Sequence, residues 1–356
     1  MGTLRGLGSG YVGRGVLDAL LAAADAHRYT FWLPSEWRSE YAGERTRFVD
    51  GGVLRKFVFE NVSLRRALSD FDALLSLGDT SIVRSRRPHL LYVQQSHLAY
   101  RPEDWGYEAP PRFSARMTLM AWYFRAGMPH VTRFAVQSGD MRQHLCERWG
   151  IDETRVVVIP SAVTEVDVAD AREAPAAEPY LLCPTSAGPH KNLPLLAEIL
   201  AALPARHRDL KLRVTLPPAL APDLRNRASE LGVADRLSFT GSVSRPQFFS
   251  LVRGARVCVL PSVLESFGLT YYEVMSQGVP AVASDRGFAR EAGGDAMKYA
   301  QPHRAEAFAE GIVEFLDSEA LAREYGQRGR ARYRECTSSW SEVSRRFVAE
   351  LEALVR

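Results

Sequence analysis

The chain has 356 residues, a length that fits two domains. At 46% hydrophobic and 24% charged it is neither disordered, collagenous nor coiled-coil. Its 45 Lys and Arg against 42 Asp and Glu leave a formal +3, without the basic excess of a dedicated nucleic-acid binder. No nucleic-acid partner is therefore expected. No apolar run approaches the ~20 residues that a membrane helix requires. The longest, 117–124, is flanked by Arg116 and Arg125. The N-terminus lacks the apolar segment of a signal peptide. Cys146, Cys183, Cys258 and Cys336 form no Cys-x-x-Cys pair, which excludes a zinc ribbon and a thioredoxin-like motif. A reduced, cytoplasmic setting is expected.

In chain order, short apolar runs alternate with helix-patterned stretches. The first series of expected strands is 30–33, 73–76, 90–94, 133–136 and 156–159. The second is 180–183, 211–215, 237–240, 257–260 and 281–283. Helices are expected at 15–26, 193–203, 223–231, 245–254, 270–278 and 304–316. Alternating strands and helices predict parallel sheets covered on both faces. Two series predict two domains. The stretch 160–179 is rich in Ala, Pro and acids and keeps no period, so 161–179 reads as a linker. The expected boundaries are 1–160 for the first domain and 180–337 for the second, with a terminal helix at 338–356 returning to the first. Ligands of open α/β sheets bind beyond the carboxyl ends of the strands, so the site is expected in a cleft between the domains.

Near the start, Gly8-Ser9-Gly10-Tyr11-Val12-Gly13 matches the dinucleotide fingerprint G-x-G-x-x-G. The residues before it make a poor strand, and the strand after it ends at Pro34 without an acid. The motif reads better as a glycine-rich turn at a helix N-terminus facing a substrate, with Gly10 as a contact. Two weaker features are the basic run Arg84, Arg86, Arg87 and the helix pattern at 112–125. The basic run reads as a solvated loop or a contact for an anionic surface. The helix pattern, with Met117, Met120, Trp122 and Phe124, reads as a core helix rather than an interfacial one.

The most informative stretch is 257–285, VCVLPSVLESFGLTYYEVMSQGVPAVASD. It reads as strand, loop, helix, turn, strand. Glu265 falls in the loop after a buried strand. Phe267, Gly268 and Leu269 open the helix, Glu273 lies a turn further in, and Gly278 and Pro280 stop it. Two carboxylates and a helix N-terminus then share one edge. Free N–H groups there suit a diphosphate, and carboxylates accept paired sugar hydroxyls. From the two glutamates alone, a helix cap at Glu265 and a solvated face at Glu273 are the better reading; the surrounding pattern reverses it.

The surrounding pattern resembles the retaining GT-B glycosyltransferases of family 4, whose hallmark element is P-S-x-x-E-x-F-G-L-x-x-x-E. Here that element is Pro261, Ser262, Glu265, Phe267, Gly268, Leu269 and Glu273. The segments 239–255 and 285–296 are similar to the family's flanking segments, and His190-Lys191-Asn192 is similar to its diphosphate-binding lysine element. The stretch 156–163 is similar to its interdomain crossing. The resemblance is strong from about residue 160 onward and weak before it.

This resemblance implies an α/β GT-B fold, two doubly wound Rossmann-like domains facing a central cleft. It implies a transferase that moves a hexosyl group from a nucleoside-diphosphate sugar, bound by the second domain, to an acceptor hydroxyl on the first. Glu273 would hold the ribose and Glu265 the donor sugar. The amides of Phe267, Gly268 and Leu269 would face the sugar or phosphates, and Lys191 would neutralise the departing diphosphate. No cofactor and no metal are implied; the nucleotide sugar is the donor substrate. The implied acceptor is a glycan or a lipid-linked saccharide, with peripheral contact to the inner face of a membrane.

The chain departs from the family in three places. Ser186 stands where an Arg is usual, leaving His190, Arg245 or another cation as its replacement. Gln94 or Gln95 stands where a His often follows the strand, with His97 close behind as a candidate catalytic contact. The first seven residues barely supply the family's opening strand. Other readings remain open: a nucleotide-sugar-binding partner subunit with weak activity, an enzyme of secondary metabolism, or a phosphorylase or epimerase of the same fold.

Overall fold

A computed structural model of the chain describes residues 7–23, 27–80, 84, 86–163 and 178–356. They divide into two compact units. The first draws on Met1–Pro102, Pro110–Ala162 and Ser338–Arg356, the second on Glu103–Ala109 and Val163–Thr337. Most of the expected linker, 164–177, lies outside the described residues.

In the first unit, β1 (Phe31–Pro34) and β2 (Thr46–Val49) pair as a two-stranded parallel sheet. A four-stranded parallel sheet follows, in the order β3 (Leu74–Ser76), β4 (His89–Val93), β5 (Arg133–Val136), β6 (Val156–Val158). Every residue of β4 is buried, as expected of a central parallel strand covered on both faces. Helix Leu7–Ala22 and helix Trp340–Val355 cover one face, with Val16, Leu90, Tyr92 and Phe347 in the shared core. Phe347 meets Tyr92 edge-on, with ring centroids 5.0 Å apart.

The glycine-rich turn expected at 8–13 does not form. Gly10 and its neighbours lie inside helix Leu7–Ala22. The small residues there serve packing: a Cβ added at Gly15 would lie 2.2 Å from Cε2 of Trp340, and Tyr11 meets the same indole edge-on. With no turn present, the substrate role expected of Gly10 has no loop to stand on. The expectation for 112–125 is corrected as well. Helix Pro111–Gly127 buries Met117 and Phe124, but Leu119 is 59% and Trp122 65% exposed, so it is a surface helix rather than a core one.

The second unit is a six-stranded parallel sheet. Its strands are β7 (Tyr180–Cys183), β8 (Lys211–Val214), β9 (Leu237–Phe239), β10 (Val257–Leu260), β11 (Ala281–Ser284) and β12 (Lys298–Ala300). Their spatial order is β12-β11-β10-β7-β8-β9. The chain runs outward from β7 to β9, then returns to the other side of β7 with β10. The order therefore reverses between β7 and β10, where Leu181 faces Val257 and Leu182 faces Cys258. Such a switch point leaves a crevice beyond the carboxyl ends of the two strands. β7, β10 and β11 are buried throughout.

Candidate functional site

The loops leaving β7 and β10 meet because their strands are parallel neighbours. The β7 loop carries Ser186, His190 and Lys191, and the β10 loop carries Glu265. The backbone N–H of Val263 donates to the His190 carbonyl at 2.9 Å, tying the loops together. Lys191 Nζ lies 2.5 Å from Glu265 Oε1, with the two side chains 13% and 16% exposed. Burial alone would raise the Glu265 carboxyl. The charge of Lys191, with hydrogen bonds from Lys191 and Ser262, outweighs it and holds the carboxyl below its usual range. Glu265 is thus an anion, and sequence reasoning missed the Ser262 hydroxyl that helps keep it one.

His190 behaves differently. Burial first, and then the neighbouring Lys191 charge, push its imidazole down to about 4. It is neutral near pH 7 and does not supply the cation that the Ser186 position lacks. Ser186 itself presents its carbonyl to the Thr185 hydroxyl at 3.1 Å.

After Glu265 the chain turns into helix Leu269–Gln277 through Gly268, whose φ of +74° lies in the left-handed region. A Cβ there would also come within 2.9 Å of the Tyr271 ring. Phe267 is buried and stacks on Tyr272, with centroids 4.6 Å apart. The first N–H groups of the helix thereby open beside Glu265, on the sheet's carboxyl edge. A turn inside, Glu273 is 7% exposed. Its Oε1 accepts from Nη1 of Arg245, the first residue of helix Arg245–Gly254. Ser244 and Gln247 close that helix's N-terminus as a capping box, and the Arg245 guanidinium lies over the Phe249 ring at 4.8 Å. The cluster so holds Lys191 and Arg245 against Glu265 and Glu273, a balance of two cations and two anions.

In the first unit, Gln94, Gln95 and His97 gather beyond the carboxyl end of β4. Asp79 organises them: its Oδ1 accepts the backbone N–H of Gln94 at 2.6 Å and of Gln95 at 2.8 Å. Gln94 Nε2 donates to the Leu77 carbonyl at 2.6 Å. His97 is buried, with Nδ1 3.0 Å from Gln95 Oε1 and its ring against Phe113. Asp79 stands 15 positions before Gln94, so no local pattern announced it. Among the described residues no group of His, Cys, Asp and Glu is placed to hold a metal, and no helix is long and apolar enough to cross a membrane. All four cysteines are free thiols.

Comparison with known proteins follows the same lines. Residues 168–332 match the family described as "Glycosyl transferases group 1". A D-inositol 3-phosphate glycosyltransferase of Streptomyces avermitilis is 31% identical over 169 residues, covering 44% of this chain and 36% of the relative. The enzyme of the same name from Streptomyces scabiei is 28% identical over 236 residues, covering 61% and 52%. The chain thus spans about a third to a half of the length of these relatives. Among solved structures, a glycosyltransferase from Rickettsia africae ESF-5 superposes with a TM-score of 0.71 at 17% identity, covering 98% and 96% of the two chains. WaaG, a glycosyltransferase involved in lipopolysaccharide biosynthesis, gives 0.71 at 13% identity, covering 97% and 96%. Anabaena Alr3699/HepE, solved with UDP and glucose, gives 0.65 at 15%, covering 86% of each. The structural likenesses show the fold, that of the GT-B glycosyltransferases. The sequence matches show a resemblance to this family over residues 168–332.

Proposed function

We propose that the chain, whose residues 168–332 match the group 1 glycosyl transferases, transfers a hexosyl group from a nucleoside-diphosphate sugar to an acceptor hydroxyl, with retention of anomeric configuration. The observation that carries this reading is the Lys191–Glu265 pair. It lies beside a helix N-terminus at the strand-order reversal of a parallel sheet, where both a cation and free N–H groups meet a bound anion.

The roles are those that the family resemblance implies for these residues. Lys191 trades part of its contact with Glu265 for the diphosphate and neutralises the charge that grows as the sugar leaves. Glu265, kept ionised, accepts hydrogen bonds from the donor sugar's hydroxyls. The N–H groups at Phe267, Gly268 and Leu269 face the phosphates or the sugar. Glu273 accepts the ribose hydroxyls, and Arg245 orients it. With His190 neutral, Lys191 and Arg245, the partners of Glu265 and Glu273, are the cations this reading assigns to the diphosphate in place of the usual Arg. The acceptor attacks from the face the diphosphate leaves, and the departing phosphate oxygen takes its proton. No protein nucleophile, metal or cofactor takes part.

Gln94, Gln95 and His97 present neutral donors and acceptors, which suit a hydroxylated acceptor such as a glycan or a lipid-linked saccharide. The free cysteines fit a reducing, cytoplasmic setting. The test is release of nucleoside diphosphate from UDP-, GDP-, ADP- and dTDP-sugars, with and without saccharide acceptors, inositol phosphate included because the curated relatives are named for it. Acceptor-dependent release with an unchanged anomeric configuration supports the reading. Binding without release assigns the chain instead to a partner subunit, and inversion removes the retaining mechanism.

A further inference from the structure

Residues Glu103–Ala109 pack with the second unit, although the chain before them, to Pro102, and after them, from Pro110, belongs to the first. A proline, which fixes one backbone angle and offers no N–H, flanks each end of this strap. Within it, Trp105 is buried, and its ring lies nearly parallel to that of Tyr107 with centroids 6.1 Å apart. Gly106, between them, has a φ of +73°, in the left-handed region. A Cβ there would come within 3.0 Å of the Val263 Cβ. The strap backbone therefore rests directly on Val263.

Val263 is fully buried and stands two positions before Glu265. Its N–H is the one that donates to the His190 carbonyl, so one residue meets both the strap and the loop that carries Lys191. Two side chains hold the strap in place. Arg286, after β11, donates from Nη2 to the Asp104 carbonyl. His303, after β12, has Nε2 2.7 Å from the Gly106 carbonyl, to which it donates its N–H. The φ of His303 is +64°, a conformation that a residue with a Cβ adopts at a cost. The three anchor points follow the neighbouring strands β10, β11 and β12, which places the strap at the carboxyl edge of that side of the sheet.

The donor-site reading gives no task to Arg286, His303 or the strap. A carboxylate that must meet sugar hydroxyls has to be held to within about 0.5 Å. Glu265 gives up part of its contact when Lys191 turns to the diphosphate, so its loop then needs a second support. We propose that the strap is that support. Arg286 and His303 are positioning residues that act through Gly106 and Val263 to fix where Glu265 meets the donor sugar. This deepens the transferase reading and rests on it for the role of Glu265, whereas the packing of strap on loop stands without it.

Three variants of the full chain test the proposal. His303→Gly keeps the left-handed backbone and removes the donor. His303→Gln restores an N–H at the reach of Nε2, and Arg286→Ala removes the other anchor. Hydrogen–deuterium exchange needs no substrate. In His303→Gly and Arg286→Ala the amides at 263–265 should exchange at least ~5-fold faster than in the wild type, while those of β10 keep their rates. With whichever of UDP-, GDP-, ADP- or dTDP-glucose the wild type turns over, kcat should fall ~10-fold or more in these two variants and the donor KM should stay within ~2-fold. His303→Gln should recover most of the exchange protection and most of the rate. Unchanged exchange at 263–265 overturns the proposal, as does a wild-type kcat in both variants or a loss that His303→Gln does not recover. A loss spread equally over kcat, donor KM and melting temperature marks a packing contact alone and overturns it too. A wild type that turns over no sugar nucleotide removes the transferase reading, and the exchange rates still decide whether the strap holds the loop.

Discussion

Both units gather polar side chains beyond the carboxyl end of a central buried strand, but they do so with opposite chemistry. In the second unit the cluster is ionic. Lys191, Glu265, Arg245 and Glu273 are held in two ion pairs. In the first unit the cluster of Gln94, Gln95 and His97 presents amides and an imidazole, and its one organising carboxylate, Asp79, is turned onto backbone N–H groups. Parallel sheets thus provide the same kind of location twice, and the side chains decide what each location takes. Paired charges suit a phosphate, whereas neutral groups suit hydroxyls. The contrast turns on which side chains in each cluster carry charge, so it can be broken one residue at a time.

The largest effect is expected in the ionic cluster. Lys191→Ala, Glu265→Gln and Glu273→Ala should each lower sugar transfer by ~100-fold or more, the usual consequence of losing one group that stabilises developing charge. Steady-state rates with saturating donor measure this. Near-normal turnover in all three would remove the site from the second unit.

The next effect concerns the neutral character of the first unit. His89 opens β4, is fully buried, and burial pushes its imidazole down to about 3. Below pH 6.5 the unfolded chain takes up a proton that the folded chain refuses. The contribution of His89 to stability is therefore complete above about pH 6.5 and shrinks as pH falls toward 3. By pH 4 the loss is on the order of 3 kcal/mol. Thermal melts from pH 7.5 to 4 should show this decline, and His89→Gln should flatten it. An equal slope in both proteins would place the acid sensitivity elsewhere.

A smaller effect separates scaffold from chemistry. Asp79→Ala leaves the buried N–H of Gln94 and the part-buried N–H of Gln95 without this acceptor, at about 2 kcal/mol. It should lower the melting temperature and weaken the acceptor's KM while leaving donor binding intact. If donor affinity falls as much as acceptor affinity, the division of labour between the two clusters is wrong. The smallest effect tests packing alone. In Gly15→Ala the new Cβ meets the Trp340 ring, at a cost of about 1–2 kcal/mol. Gly15→Ala combined with Trp340→Leu should regain part of that loss in a denaturant titration.

How much of this was legible in the sequence differs between the units for physical reasons. Helix Arg245–Gly254 matches its expected limits because a capping residue marks one end and a change to strand pattern marks the other. The loops that hold Lys191 and Glu265 were legible because strand ends, glycine and proline bracket them. Their meeting was not, since it depends on the return of β10 to the side of β7. The pairing of Arg245 with Glu273 likewise needs two helices packed together, 28 positions apart in sequence. β2 and β12 were missed because their polar, short runs, TRFV and KYA, carry little apolar signal. Gly8 to Gly13 misled because a small-residue pattern serves a helix contact as well as a phosphate turn. The choice between them lay with Trp340, at the other end of the chain.

The most direct test of the central claim is the melting temperature with UDP, GDP, ADP and dTDP, measured for the wild type and for Lys191→Ala. A ligand that binds the folded state raises apparent stability by mass action. One of these diphosphates should raise the wild-type melting temperature, the matching nucleoside without phosphate should not, and Lys191→Ala should lose most of the rise. A wild type indifferent to all four diphosphates, or a Lys191→Ala variant that responds like the wild type, would contradict a diphosphate site at the β7–β10 switch point.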